Sequence, residues 1–412
     1  MYKNMNTIFL AFIGFLFACS LALATGPEAV NVIKFGDANT LFVGDSKSAT
    51  LYAYTITPSN NADAQKAYNL HDLSSQIANF ANVGVMDFIV RDMAINPTSK
   101  EAFIAIDIKT KKGYESQILI VNQAGNIKKL DLSNTKHTEI KLADAPTSDV
   151  TFWDKTSIRS LTITDIDFYK GKVYVSGMSN AEFSSALRVV DYPFTNKISS
   201  TSVEVFHAVH GQNETRAPIQ TLQFVTLNNE DYILAAYTCT PLVLIPVKDL
   251  KDKAHIVGKT IAELGYGNTP VDIIKFQSEG FDKKPYEGII LANRNRTAQL
   301  INLNEIAKSA SENSIGYAGM VEHTGTSISN LPMTGLLQMD EQDANHIATM
   351  RRNDETGSLE LISFLKNLYL RLDEFVSEYD QPSYQYAGQQ LQMKGFQNMM
   401  IQDLEKVKFL KK

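Results

Sequence analysis

A three-strand phrase recurs along this chain and restricts its fold more than any other feature. Each copy has an apolar–x–apolar run, a turn, and a second run ending in small or polar residues. A third run rich in Leu, Ile and Val completes it. The copies begin near Ile33, Met93, Ile166, Leu222, Ile274 and Leu337, with successive gaps of 60, 73, 56, 52 and 63 residues. Period-two alternation with aromatic and β-branched residues is the pattern of packed strands. A repeat of about 61 residues suits one four-stranded blade plus insertions. The spacing therefore predicts an all-β, six-bladed β-propeller. Such a scaffold carries many unrelated activities, so the architecture leaves the chemistry open.

Two stretches depart from the repeat. Residues 63–83 carry Leu70, Leu73, Ile77 and Phe80 at helical spacing, which predicts an amphipathic helical insertion in blade one. The long gap between the second and third copies holds 144–148 and the only tryptophan, Trp153. It reads either as an ordered excursion over one face or as a plain surface loop. Past about residue 380 the pattern dissolves into a Gln- and Met-rich tail with a basic end. The expected organisation is a propeller over 25–379 and a tail over 380–412 that packs on it or closes it.

The first residues read as an export signal, with Lys3 before an apolar stretch at 8–18 that is too short to span a bilayer. Ala22 and Ala24 satisfy the small-x-small rule for cleavage before Thr25. Leu16-Phe17-Ala18-Cys19 approaches a lipobox, the alternative that would put a lipid anchor on Cys19. Phe17 is bulky for a lipobox, which favours a 1–24 signal peptide and a periplasmic or secreted protein. No later stretch is apolar for long enough to span a membrane. A net charge of −6 without a basic block argues against nucleic acid. Of two cysteines only Cys239 lies beyond the signal, which excludes an intramolecular disulfide framework in the mature chain. Haem-attachment, zincin and Walker A motifs are lacking.

In a propeller the inner strands start on the face where second and third strands are joined. That mouth collects Asp92, Asp165 and Asp272 from inner strands, and Asp45, Asp107, Cys239, Asn293, Arg294 and Arg351 from loops. Arg91, Arg159 and Arg216 lie just before inner strands. Carboxylates crowded around one mouth need a cation, arginines or water. One reading is a Ca²⁺-type site of Asp92, Asp165 and Asp272 supported by Asn293, since hard cations take oxygen ligands. The other is an arginine–aspartate lattice built with Arg91, Arg159 and Arg216. Those arginines, Asn293 and Cys239 are also the candidate ligand-binding groups. Lys34, Asp167, Gln223, Lys275 and Gln338 at inner-strand centres suit a hydrated channel. Cys239 near His210 is a candidate nucleophile, set against the ordinary reading of a buried thiol. His207 and His210 would point to opposite faces of a strand, so a shared metal requires a loop there.

The segments 41–54 (LFVGDSKSATLYAY) and 234–243 (LAAYTCTPLV) resemble those of an exported bacterial propeller family without assigned function. The blade pattern is also similar to NHL and SMP-30/gluconolactonase-type propellers. The second resemblance implies a divalent metal held in the channel by acidic and Asn side chains, but no motif here maps onto those ligands residue by residue. The leading expectation is a binding or scaffolding module for a small polar ligand or an extracytoplasmic protein. Its alternatives are a metal-dependent lactonase or esterase and an accessory subunit of a periplasmic oxidoreductase.

Overall fold

Each triplet begins with a strand whose free edge faces a common axis. These strands are Val32–Asp37, Phe88–Ile95, Asp165–Tyr169, Ile219–Leu227, Pro270–Glu279 and Leu336–Glu341, and they stand side by side in a closed ring. The computed structural model describes residues 26–366 except 266, 280–283 and 354–355. The export signal with both of its endings, and the tail, lie outside the described residues.

Second and third strands extend antiparallel from each inner strand, as in Thr40–Asp45 and Thr50–Thr55. Each sheet buries both faces, so second strands such as Thr40–Asp45 and Ala102–Thr110 are buried at consecutive residues. From the first sheet, Leu41, Val43 and Tyr54 pack against Phe103, Ala105 and Ile118 of the second. Phe42, Leu51 and Ala53 on its opposite face pack against Ile166, Val173 and Val175 of the third triplet. The core therefore lies between sheets, and the axis is left to polar groups.

Spatial order differs from chain order. The strand Phe88–Ile95 stands between Leu336–Glu341 and Val32–Asp37, which in turn touches Asp165–Tyr169. Lending of outer strands makes this possible. Asn69–Leu70 pairs with Leu359–Leu365 before the chain enters Phe88–Ile95, and His137–Lys141 pairs with Thr50–Thr55 before it enters Asp165–Tyr169.

The expectation of six separate blades is corrected. Among the described residues the strands form four four-stranded sheets and one ten-stranded sheet. In the latter, Ile198–His207 and His255–Glu263 run parallel, with Ser202 opposite His255 and Val205 opposite Gly258. A strand edge left unpaired seeks a partner, and here two outer edges meet and fuse two triplets. The sheet curls until its end strands, Asp165–Tyr169 and Ile219–Leu227, lie together at the axis, so it is nearly closed.

The helical insertion in blade one is corrected as well. Helix α1, Leu73–Ala81, starts at Asp72, whose side chain accepts the Ser75 N–H, and stops at left-handed Asn82. It buries Leu73 and Ile77 against Met93, Ile104 and Leu119 of the second sheet and Leu361 of the last. Leu70 falls in a short strand and Phe80 is exposed, so only part of the helical spacing faces the core. A second helix, α2 (Leu303–Ser311), lies outside the repeat pattern and buries Ile306 against the ten-stranded sheet and its neighbour.

Candidate functional site

An inner strand presents unpaired backbone N–H groups to the axis, and these need acceptors. Aspartates supply them in one repeated geometry. Asp92 accepts the N–H of Met93 (2.8 Å) and of Ile33 on the adjoining strand (2.7 Å). Asp165 accepts Ile166 and Leu222, both at 2.7 Å. Asp272 accepts Ile273 and Met339, both at 2.8 Å. Asp340 does the same with Glu341 and Ile95, both at 2.8 Å. Each carboxylate clips its own strand to the next, all in one rotational sense. At the remaining steps Gln223 accepts the Lys275 N–H (3.1 Å), and Lys34 approaches Asp167 to 4.0 Å.

Electrostatics follow from this crowding. Burial, aided by the charge on Asp165, raises Asp92 to about 8 despite its two backbone donors and Lys34. Burial raises Asp165 to about 6 against the pull of Lys34. It holds Asp272 well above the usual carboxylate range, with the Asp92 charge adding to it. Burial opposes the Lys34 charge, but Asp167, Asp340, Asp165 and Asp272 outweigh it and raise its pKa.

The sequence candidates separate in space. Arg91 pairs with Asp107 (2.6 Å) instead of with a ring aspartate. Arg159 donates to the carbonyls of Lys47 (3.1 Å) and Pro146 (2.9 Å). Asn293 is buried and donates to the Thr297 carbonyl (3.1 Å). Backbone N–H groups, and not these arginines, therefore hold Asp92, Asp165 and Asp272. Nor do those three aspartates gather as a ligand set. Among the described residues, the one group of three that brings its ligand atoms within 4.8 Å is His207, His210 and Glu214.

That group sits on the mouth face, where the fused strands of the ten-stranded sheet end. His207 closes Ile198–His207, and the chain reverses at Gly211 (φ 66°) into Gln212–Glu214, which pairs back with Val205 opposite Glu214. The turn cancels the opposite facing that a strand would impose. The two imidazoles lie 3.9 Å apart, both with Nδ1 toward Glu214 Oε1, at 3.1 Å from His207 and 2.6 Å from His210. His207 Nε2 meets Thr240 Oγ1 at 3.0 Å, and Thr240 donates to Glu263. Glu263, fully buried, also accepts the Ala208 N–H at 2.6 Å. Burial lowers the pKa of His207. Hydrogen bonds to Cys239 and Glu214 and the charges of Glu263 and Glu214 overcome that and push it up to about 10. The His207 hydrogen bond leads in holding Glu214 down at about 2. Cys239 is exposed, with a backbone at φ 82°. Sequence alone set the two histidines apart, because the reversal between them has no strong turn motif.

Next to it lies a cleft of about 480 Å³ between the 146–158 excursion and the loop at 179–184, with Arg216 on its wall. Arg216 is exposed and makes no hydrogen bond or ion pair among the described residues. The excursion is ordered, carrying a bridge from Thr151 to Ser157, and it presents Val150, Phe152 and a 98% exposed Trp153.

No family model and no curated protein matches the chain. Among solved structures it is similar to the extracellular domains 1-2 of Drosophila Semaphorin 1b, at 9% identity and TM-score 0.37 over 86% of this chain and 90% of that one. The WD40 β-propeller domain of Doa1 aligns at 8% identity and TM-score 0.33, over 83% and 94%. The PQQ-bound aldose sugar dehydrogenase of Streptomyces coelicolor aligns at 8% and 0.31, over 83% and 95%. Likenesses this distant bring no ligand, partner or activity to this chain.

Proposed function

We propose that this β-propeller is an extracytoplasmic binding or scaffolding module whose mouth face takes a small polar ligand or a protein segment bearing a carboxylate. The observation that carries this is Arg216, a guanidinium without a partner among the described residues, on the wall of a preformed cleft. Guanidinium suits bidentate capture of a carboxylate. Val150 and Ile158 line the same cleft as apolar contact area, and the excursion that supplies them exposes Phe152 and Trp153. The channel aspartates that metal-assisted hydrolysis would need are engaged with backbone N–H groups, which favours binding over lactone or ester cleavage there.

The test is calorimetric titration of the protein with mono- and dicarboxylates and short acidic peptides. Arg216→Ala is expected to weaken the best binder about tenfold, the scale of one charge-assisted contact. Trp153→Ala should weaken peptides more than small acids. Equal affinity in Arg216→Ala, or no binding across the panel, would overturn the reading. Extracytoplasmic placement rests on the 1–24 signal and is checked by intact mass of exported protein. A chain beginning at Thr25 supports it, whereas a diacylglyceryl group on Cys19 would mean the lipoprotein ending.

A further inference from the structure

Two imidazoles and a carboxylate converging on one point form a donor set with a definite chemical preference. Nitrogen ligands with a single carboxylate suit first-row divalent metals, whereas Ca²⁺ takes oxygens. Two ligand atoms placed tetrahedrally about a zinc ion are roughly 3.3 Å apart, given metal–ligand bonds of about 2.0–2.1 Å. Glu214 Oε1 and His207 Nδ1 are already 3.1 Å apart, and His210 Nδ1 lies 2.6 Å from the same oxygen. The surroundings of His207 also fix the role of its other nitrogen. Thr240 Oγ1 spends its proton on Glu263, so toward His207 it can only accept, and Nε2 must carry the donated proton. Nδ1 faces Glu214 Oε1 at 3.1 Å and donates its proton there, so a metal ion at the convergence point would displace that proton and take the Nδ1 lone pair. A metal-bound histidine is held in this way, its second nitrogen fixed by an outer partner.

We propose that His207, His210 and Glu214 form a binding site for a first-row divalent metal of the Zn²⁺ type on the mouth face. His207, at 1% exposure, is the anchor; Glu214 at 22% and His210 at 50% close the site from the solvent side. Three protein ligands leave a coordination position open to water or to a ligand, the arrangement of reactive or exchangeable sites and not of closed structural ones. The site exists because Ile198–His207 and His255–Glu263 pair in parallel. That pairing brings Glu263 beneath the turn after His207. It is independent of the Arg216 cleft, so failure of either proposal leaves the other standing.

The experiment uses tag-free protein treated with chelator and then dialysed. It is titrated with Zn²⁺ by calorimetry and with Co²⁺ by visible absorption. One equivalent of each is expected to bind, with a Co²⁺ ligand-field band. His210→Ala and Glu214→Gln should each weaken Zn²⁺ at least tenfold and abolish the band. His255→Ala, at the other end of its strand, should bind like the unaltered protein. His210 is half-exposed, so His210→Ala retains the fold, and circular dichroism verifies this. No stoichiometric Zn²⁺ binding, unchanged affinity in His210→Ala and Glu214→Gln, or displacement of Zn²⁺ by equimolar Ca²⁺ would each overturn the proposal.

Discussion

Arg188 is fully buried, an unusual place for a guanidinium, and its surroundings explain how it is tolerated. Nε reaches both oxygens of Asp144 at 2.7 and 2.9 Å, and the terminal nitrogens donate to the carbonyls of Thr162 (2.9 Å) and Met178 (2.7 Å). The residue therefore staples the 142–164 excursion to the ten-stranded sheet. Arg188→Met would strand a carboxylate and two carbonyls, and should cost about 3–5 kcal/mol in urea unfolding. A loss below about 1 kcal/mol would mean that water replaces the arginine. The ring aspartates teach the complementary lesson. Asp92, Asp165 and Asp272 were visible in the sequence as acids on inner strands, and their need for partners was legible. Their partners are backbone N–H groups, which leave no mark in a sequence, so the sequence points only to side-chain arginines or a metal. Asp340 is not marked by the pattern, because it sits at the far end of its strand, outside the expected mouth.

At the scale of the element, the ten-stranded sheet depends on how its two end strands are joined. They meet at the axis without a ladder, and Asp165 bridges them through Ile166 and Leu222. Asp165→Ala leaves two buried donors without acceptors and should cost about 3 kcal/mol, whereas Asn, keeping one acceptor, should cost about half of that. Equal losses for the two would argue against the clip. These carboxylates also set a pH dependence. Asp92 titrates near 8 in the fold, above its ordinary value, so the native state holds the proton more tightly than the unfolded chain. Its contribution is full below about pH 4 and is lost as pH rises through about 8. Urea unfolding at several pH values should show stability falling over this window, with a shallower fall in Asp92→Asn. An unchanged slope would refute the assignment. The strands themselves were readable, since burial of both faces writes apolar runs of strand length bounded by turns. The fusion of two triplets was not, because a parallel pair between outer edges is set by approach in space and changes neither strand's alternation.

Closure of the whole ring rests on a segment read as part of a helical insertion. Tyr68 precedes Asn69–Leu70, the short strand that pairs with Leu359–Leu365 and completes the last sheet. Its N–H donates to Ser363 Oγ at 2.7 Å, and its carbonyl accepts the Ser363 N–H at 3.0 Å. The ring of Tyr68 is 1% exposed, packed in the cluster where the second sheet, α1 and the last sheet meet. Its hydroxyl donates to the Lys100 carbonyl at 2.7 Å and lies 3.1 Å from the Val121 carbonyl. One side chain thus couples the last sheet to the second across the seam where chain order and spatial order part. A large buried aromatic in such a place should cost about 3–5 kcal/mol when cut to alanine. Tyr68→Phe, which keeps the ring and loses the hydroxyl, should cost about 1 kcal/mol. If the seam is the weakest joint, Tyr68→Ala should also broaden the urea transition, because the sheets flanking it no longer unfold as one unit. A sharp transition with a loss under about 1 kcal/mol would place closure elsewhere, in the aspartate clips from Asp340 to Ile95 and from Asp92 to Ile33.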